Sequence, residues 1–233
     1  MGQTVCLIPA RGGSKRLPGK NTAPFHGRPL SAWTFDFALA SKHFDKIVLS
    51  TDDPALEAIA PEGVVRLKRP KALAGDTATL HDVIKHVVRD LPLASDDIVV
   101  LTPVTAPLRR LGDLDNALEA FHVHGGARTV LTVCANPNPP HLVWTREEDG
   151  SLKQVIDRGA FGTRKQAFAQ TYFWNDCFLI DGAANFMMER DLYGPDPVGV
   201  VMPRERSVPI DHPFDLWLAA QLFDPAETLE ETT

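Results

Sequence analysis

Short apolar runs and helical stripes take turns along this chain. TVCLIPA (residues 4–10) is short, apolar and partly β-branched, which reads as a buried strand. Residues 31–41 follow as a helix with Trp33, Phe37, Leu39 and Ala40 on its apolar side. KIVLST (46–51) is a second strand, and Asp52, Asp53 and Pro54 then open a helix through Ile59. Residues 64–67 read as a short strand. The clearest helix covers 77–91: Leu80, Val83, Ile84, Val87, Val88 and Leu91 form one continuous face, with Asp76 as its expected cap. DIVVL (97–101) is a strand, 111–123 a helix and 128–133 a strand. Strands alternating with helices predict an α/β fold with a mainly parallel sheet covered on both faces.

The rhythm changes at NPNPP (136–140). From 141 to 172 the pieces HLVWT and SLKQVI look like a hairpin between polar loops, so the expected organisation is one domain over 1–233 with a β-rich insertion at about 136–172. Residues 178–181 and 198–202 return to the sheet. The last helix is expected over 211–223 with Leu216, Trp217, Ala220 and Phe223 inward, and 226–233 as a frayed acidic tail. Trp33 is expected in the core, and His26 at the surface.

Composition narrows the function. The net charge of −6 makes the chain a poor partner for nucleic acid, so a phosphate site must be a local basic cluster. Cys6, Cys134 and Cys177 are far apart and odd in number, which favours reduced, buried thiols over a zinc site or a disulfide framework. His81 and His86, five apart, do not have the spacing of a metal pair. The first apolar stretch is too short for a signal peptide and no run reaches membrane-spanning length, so the expectation is a cytoplasmic enzyme without membrane contact.

One cluster does stand out. PARGGSKRLPGKN places Gly12, Gly13 and four cations (Arg11, Lys15, Arg16, Lys20) directly after the first strand. Ligands of open α/β sheets sit beyond the carboxyl ends of strands. Glycines let the backbone approach a phosphate, their N–H groups can form an anion nest, and the cations supply countercharge to a leaving pyrophosphate. Neither the P-loop nor the dinucleotide pattern is present. A solvated basic loop is the alternative reading of such a cluster.

IPARGGSKRLPGKN resembles the signature of the acylneuraminate cytidylyltransferases, which make CMP-activated sialic acids and their bacterial relatives. The resemblance continues in order through LSTDD, Arg69-Pro70, LAGDTATLHDVI, TAPLR, residues 164–179 and IDHPFD, and covers nearly the whole chain. It implies a Rossmann-like nucleotidyltransferase domain, a homodimer formed by the insertion, and Mg²⁺-dependent attack of a sugar's anomeric hydroxyl on the α-phosphorus of CTP. By resemblance, Arg11 and Lys20 grip the triphosphate, Ser14 and Lys15 assist, and Asn21 sits near the nucleotide. Arg69 and residues 74–79, among them Ala74, Asp76 and Thr77, line the cytosine and ribose pocket. Structural roles for Arg69-Pro70 and for Asp76 as a cap stand beside these.

The departures from the family pattern matter as much. The family's Asp-Ile-Asp is Pro209-Ile210-Asp211 here, leaving Asp211 as the one metal ligand at that end, or as a helix cap, with Asp52 or Asp53 as further candidates. Pro103-Val104-Thr105-Ala106-Pro107 replaces Gln-Pro-Thr-Ser-Pro and resembles the pseudaminic-acid branch. The sugar side is expected to use Thr105, Arg164, Gln166 and Asn175, with Arg164 on the sugar carboxylate. Asn175-Asp176-Cys177 stands where relatives have Asn-Gly-Ala; Asp176 either meets an amino or hydroxyl group of the sugar or faces solvent. The expected activity is CMP transfer from CTP to a sialic-acid-like nonulosonate. A 3-deoxy-octulosonate as acceptor and a catalytically weak CTP-binding protein are the alternatives.

Overall fold

The computed structural model describes residues 2–156 and 164–229. In chain order the strands are β1 (Thr4–Pro9), β2 (Pro24–Phe25), β3 (Arg28–Pro29), β4 (Lys46–Thr51), β5 (Val64–Lys68), β6 (Ile98–Leu101), β7 (Val130–Ala135), β8 (Trp144–Arg146), β9 (Leu152–Gln154), β10 (Tyr172–Gly182) and β11 (Val198–Met202). The helices are α1 (Leu30–Ala40), α2 (Pro54–Ile59), α3 (Leu80–Asp90), α4 (Leu111–Val123), α5 (Ala183–Phe186), α6 (Pro213–Leu222) and α7 (Pro225–Leu229). Seven strands form one sheet in the order β11-β7-β10-β6-β1-β4-β5. Every neighbouring pair is parallel except those of β10, which runs antiparallel to β6 and β7.

Alternation along β1 divides the core between the sheet's two faces. Cys6 and Ile8 pack with α1, α2 and α6, while Val5 and Leu7 pack with Ile84 and Val87 of α3. Five of the six residues of the apolar stripe read from sequence belong to this second layer, Ile84 and Val87 buried and Leu80, Val88 and Leu91 partly buried, while Val83 is buried outside this cluster. A third cluster, Phe37, Val100, Leu114, Phe121, Phe178 and Ile180, fixes α4 on the sheet. The three cysteines are free and buried, and Trp33 is in the core, donating from Nε1 to the Phe25 carbonyl at 2.9 Å. His26 is exposed.

Four expectations change. α3 begins at Leu80, and its cap is Thr79 rather than Asp76: the Thr79 hydroxyl receives the Asp82 N–H at 3.1 Å while the Asp82 carboxylate receives the Thr79 N–H at 2.9 Å. β10 is 11 residues long, not four, because polar Asn175 and Asp176 interrupt its apolar pattern at a register shift. Trp217 is 58% exposed and stacks against exposed Phe214 on the outer side of α6, where Ala219 turns inward instead. The tail is ordered as α7 through Leu229, tied by a contact between Arg110 and Glu227; residues 230–233 lie outside the described residues.

The expected hairpin is present as β8 and β9, pairing Trp144 with Gln154 and Arg146 with Leu152. Residues 157–163 of the insertion lie outside the described residues.

Candidate functional site

Parallel pairing brings the carboxyl ends of β1, β4, β5 and β6 to one edge of the sheet. Because β10 is antiparallel, its first half lies at that same edge, with Tyr172 beside Ala135 at the end of β7. The loops leaving these strands enclose a cavity of about 440 Å³. Its wall includes Arg11, Arg16 and Lys20 from the first loop, Arg69, Gly75, Asp76 and Thr79 from the segment before α3, Pro103 and Thr105 after β6, Trp174 and Asp176 from β10, and Asp211 before α6. This is the position where open α/β sheets bind ligands.

The basic loop is tied down at several points. Asn21 donates from Nδ2 to the Arg11 carbonyl at 2.9 Å. The Gly12 N–H donates to Asp52 Oδ1 at 3.0 Å, and a Cβ at Gly12 would stand 3.2 Å from that of Asp53. A side chain there would press on Asp53, which would have to give by a few tenths of an ångström. Lys20 Nζ reaches the Ile210 carbonyl at 2.9 Å and Asp211 Oδ1 at 3.0 Å, and Arg16 pairs with Asp211 Oδ2 at 3.1 Å. Two cations of the loop thus converge on the carboxylate before α6.

Arg69 is only 5% exposed. It donates to the Ser50 carbonyl at 2.8 Å and the Ser50 hydroxyl at 3.3 Å. Burial lowers its guanidinium to about 10, against the pull of Asp52, so it stays charged at neutral pH. Arg11 contacts the Gly75 carbonyl and Asp76 Oδ1, both at 3.4 Å. Lys15 pairs with Asp76 Oδ2 at 2.6 Å and, chiefly through that bond, holds its carboxyl below the usual carboxylate range.

The wall after β6 rests on Arg109, which is 1% exposed. Nε donates to the Ala106 carbonyl at 2.7 Å, and Nη2 to the Pro103 carbonyl and, at 3.4 Å, to Thr34 Oγ1. Its guanidinium carbon lies 5.5 Å from the Phe37 ring centroid and 5.8 Å from that of Phe178. Burial lowers its pKa to about 10. The loop it holds presents Thr105, whose carbonyl accepts the Ile210 N–H at 2.8 Å. The loop after β6 and the segment carrying Asp211 are therefore tied together.

Asp176 has φ 60° at the irregularity in β10. Burial first, then the Asp211 charge, push its carboxyl up to about 6, with Lys20, Arg109 and Arg16 pulling the other way. It lines the cavity rather than facing bulk solvent.

Of the residues singled out from sequence, the cavity gathers Arg11, Lys20, Arg69, Asp76, Thr105 and Asp211. Gly12, Gly13, Ser14, Lys15, Asn21, Ala74 and Thr77 lie outside its wall. The Gly12 amide serves Asp52 rather than an open anion nest, and Asn21 braces the loop. Asn175 is fully buried, donating to Ser207 Oγ at 2.9 Å and to Met202 Sδ at 3.2 Å, which leaves it no path to a sugar. Arg164 is exposed and away from the wall. The side chain of Gln166 lies outside what is described. Asp211 is not the cap of α6: His212 holds the cap position, and Asp215 receives both the Asp211 and His212 N–H groups. Asp53 caps α2 through the Ala55 N–H, and Asp52 holds Gly12, so neither β4 carboxylate points freely at the site. Thr79 belongs to the 74–79 segment assigned to the nucleoside from sequence, whereas Trp174 has no role read from sequence. Arg16, one of the four loop cations, and Asp176, the acidic departure from the family pattern, also line the cavity.

No three His, Cys, Asp or Glu side chains come together as a metal cage among the described residues. The cavity carries three carboxylates, Asp76, Asp176 and Asp211, of which Asp76 is held by Lys15 and Arg11; one or two hard oxygen donors of this kind suit Mg²⁺ when phosphate oxygens complete its shell.

The chain is 30% identical over 210 residues to an N-acylneuraminate cytidylyltransferase of Streptococcus agalactiae, covering 89% of this chain and 50% of that protein. It thus spans about half the length of that relative. A pseudaminic acid cytidylyltransferase of Campylobacter jejuni is 28% identical over 225 residues, covering 95% of this chain and 96% of the relative. Among solved structures, a CMP:2-keto-3-deoxy-manno-octonic acid synthetase complexed with CTP superposes with a TM-score of 0.70 at 17% identity, over 94% of this chain and 98% of the other, a likeness of fold. The model of the cytidylyltransferase family matches residues 5–133, more than half of the 233 residues, and the chain belongs to that family.

Proposed function

We propose that the chain transfers CMP from CTP to the anomeric hydroxyl of an acidic 3-deoxy-ulosonic sugar of the nonulosonate type, with release of pyrophosphate. The observation that carries this reading is the convergence of Arg11, Arg16, Lys20 and Arg69 with Thr105 and three carboxylates in one cavity at the carboxyl ends of the strands. Names of relatives at 28–30% identity support the choice of base and acceptor class.

In this reading Arg11, Arg16 and Lys20 neutralise the triphosphate and the charge that develops on the leaving pyrophosphate. Arg69 and the segment before α3 hold the nucleoside, and Thr105 with the β10 wall positions the sugar so that its hydroxyl approaches the α-phosphorus in line. Mg²⁺, when bound by Asp211 and phosphate oxygens, supplies further charge neutralisation.

The reading includes a cytoplasmic homodimer. Exposed Val143, Trp144, Leu152, Val155 and Ile156 on and beside the β8–β9 hairpin support a face between copies. No described helix is long and apolar enough to cross a membrane.

Pyrophosphate release from CTP and Mg²⁺ with N-acetylneuraminate, pseudaminate, legionaminate and a 3-deoxy-octulosonate tests the activity. Release with a nonulosonate, lost on chelation, is expected, from a species sedimenting at twice the chain mass. Release with the octulosonate alone would move the acceptor class. CTP binding without release for any sugar favours the weak-binder reading that Pro209 raises.

A further inference from the structure

We infer that Asp176 is a specificity-determining residue whose carboxylate accepts a hydrogen bond from a donor on the acceptor sugar, a hydroxyl or an N–H group. The inference rests on the transferase reading above and names the chemistry that its acceptor must present.

Four observations carry it. Asp176 is one of two non-glycine residues with positive φ among those described, the other being exposed His26. The left-handed region is uncommon outside glycine, and aspartate is among the few residues that tolerate it; here it accompanies a side chain placed on the cavity wall. Second, the register shift between Trp174 and Leu179 breaks the strand's alternation at this point, and Asp176 becomes part of the cavity wall while its neighbour Asn175 is sealed inside.

Third, its partners are missing where those of its neighbours are not. Asp211 is held by Lys20 and Arg16, Asp76 by Lys15 and Arg11, and Arg69 by Ser50. No hydrogen bond or ion pair from a described residue reaches the Asp176 carboxylate. Its acceptor capacity is directed at the cavity's contents.

Fourth, the chemistry of the two substrates differs. Phosphate oxygens are acceptors and repel a carboxylate. Asp176 feels Asp211, Lys20, Arg109 and Arg16, groups of the first loop, of the loop that presents Thr105 and of the segment before α6, and not Arg69 or the segment before α3, which this reading gives to the nucleoside. A polyhydroxylated or amino-bearing acceptor brings donors to this wall. A site that pairs a buried polar group with a substrate donor rejects analogues lacking that donor far more strongly than an apolar pocket does.

The experiment compares the full chain with Asp176→Gly, which accommodates the positive φ, and with Asp176→Asn, which keeps shape and one acceptor oxygen. At saturating CTP, Asp176→Gly is expected to raise the acceptor KM by about 10–100-fold, the range of one hydrogen bond to a charged group. Its CTP affinity should stay within about twofold and its melting temperature should not fall. Asp176→Asn is expected to lie between. Acceptors lacking one hydroxyl, or carrying a blocked amine, identify the donor: the analogue that wild type rejects and the glycine variant no longer distinguishes is the one missing it. Acceptor titration into the CTP complex by calorimetry gives the same comparison without turnover. An unchanged acceptor KM and affinity in Asp176→Gly, with wild type active, would overturn the inference alone. Weaker Mn²⁺ binding to the CTP complex with unchanged acceptor KM would also overturn it and make Asp176 a metal ligand. Failure of wild type to bind CTP would remove the transferase reading and this inference with it.

Discussion

Lys20→Met is expected to lower the rate of pyrophosphate release by about 10²–10³-fold, the scale seen when one preorganised charge-stabilising donor is removed from an active site. Lys20 is the most enclosed cation of the basic loop, with a side chain only 13% exposed, and it is held against both Asp211 and the Ile210 carbonyl. Its ammonium is therefore fixed before any ligand arrives, and no reorganisation is needed as charge develops. Methionine keeps the stem and deletes the charge. Losing the Asp211 pair and the Ile210 hydrogen bond should cost about 1–3 kcal/mol, which the fold should survive. Arg16 still faces Asp211 at 3.1 Å, so that carboxylate is not abandoned. Steady-state kinetics together with a melting curve check the prediction. A rate within threefold of wild type would remove Lys20 from the chemistry.

The largest expected effect on stability is at Arg109. Arg109→Met should destabilise the fold by about 2–4 kcal/mol, because it leaves buried carbonyls of Pro103 and Ala106 without donors. For a chain of this size that is a fall of roughly 5–15 °C in melting temperature. Some of the loss is offset, since Arg109 itself is a buried cation without an acidic partner among the described residues, and its Nη1 has no hydrogen bond. Arg109→Lys should recover little: one ammonium cannot reproduce the fork that spans two carbonyls and the Thr34 hydroxyl while stacking between Phe37 and Phe178. Because the same loop presents Thr105, both variants should also raise the acceptor KM. A melting temperature within 2 °C of wild type for Arg109→Met would show that the loop does not depend on this staple.

Much of the fold was legible because its strands are short, apolar and separated by periodic helices. Lys46–Thr51 and the α3 stripe coincide with the sequence reading. What failed was local chemistry overriding pattern. Thr79 and Asp82 form a reciprocal cap nearer to the apolar stripe than Asp76, and the latter serves two cations instead. Trp217 shares a helix with inward Ala219, and no single-sequence pattern says which side of an almost wholly apolar helix meets the sheet.

The candidate site followed the same division. The cation cluster and its place after β1 identified the loop, but not which of its residues face the cavity and which brace it. Asn21 and Gly12 are read as ligand contacts from sequence; in the structure Asn21 braces its own loop and Gly12 ties that loop to Asp52. Asn175 and Asp176 show the limit most clearly. Adjacent and both polar, they part company because a backbone irregularity sends one inward and the other to the wall.

The central claim is that the cavity around the first loop is a CTP site, and calorimetric titration of CTP into the chain with Mg²⁺ tests it most directly. The account predicts saturable binding of one CTP per chain, clearly weaker for UTP and weakened again in Lys20→Met. Absence of CTP binding, or equal binding by wild type and Lys20→Met, would contradict it.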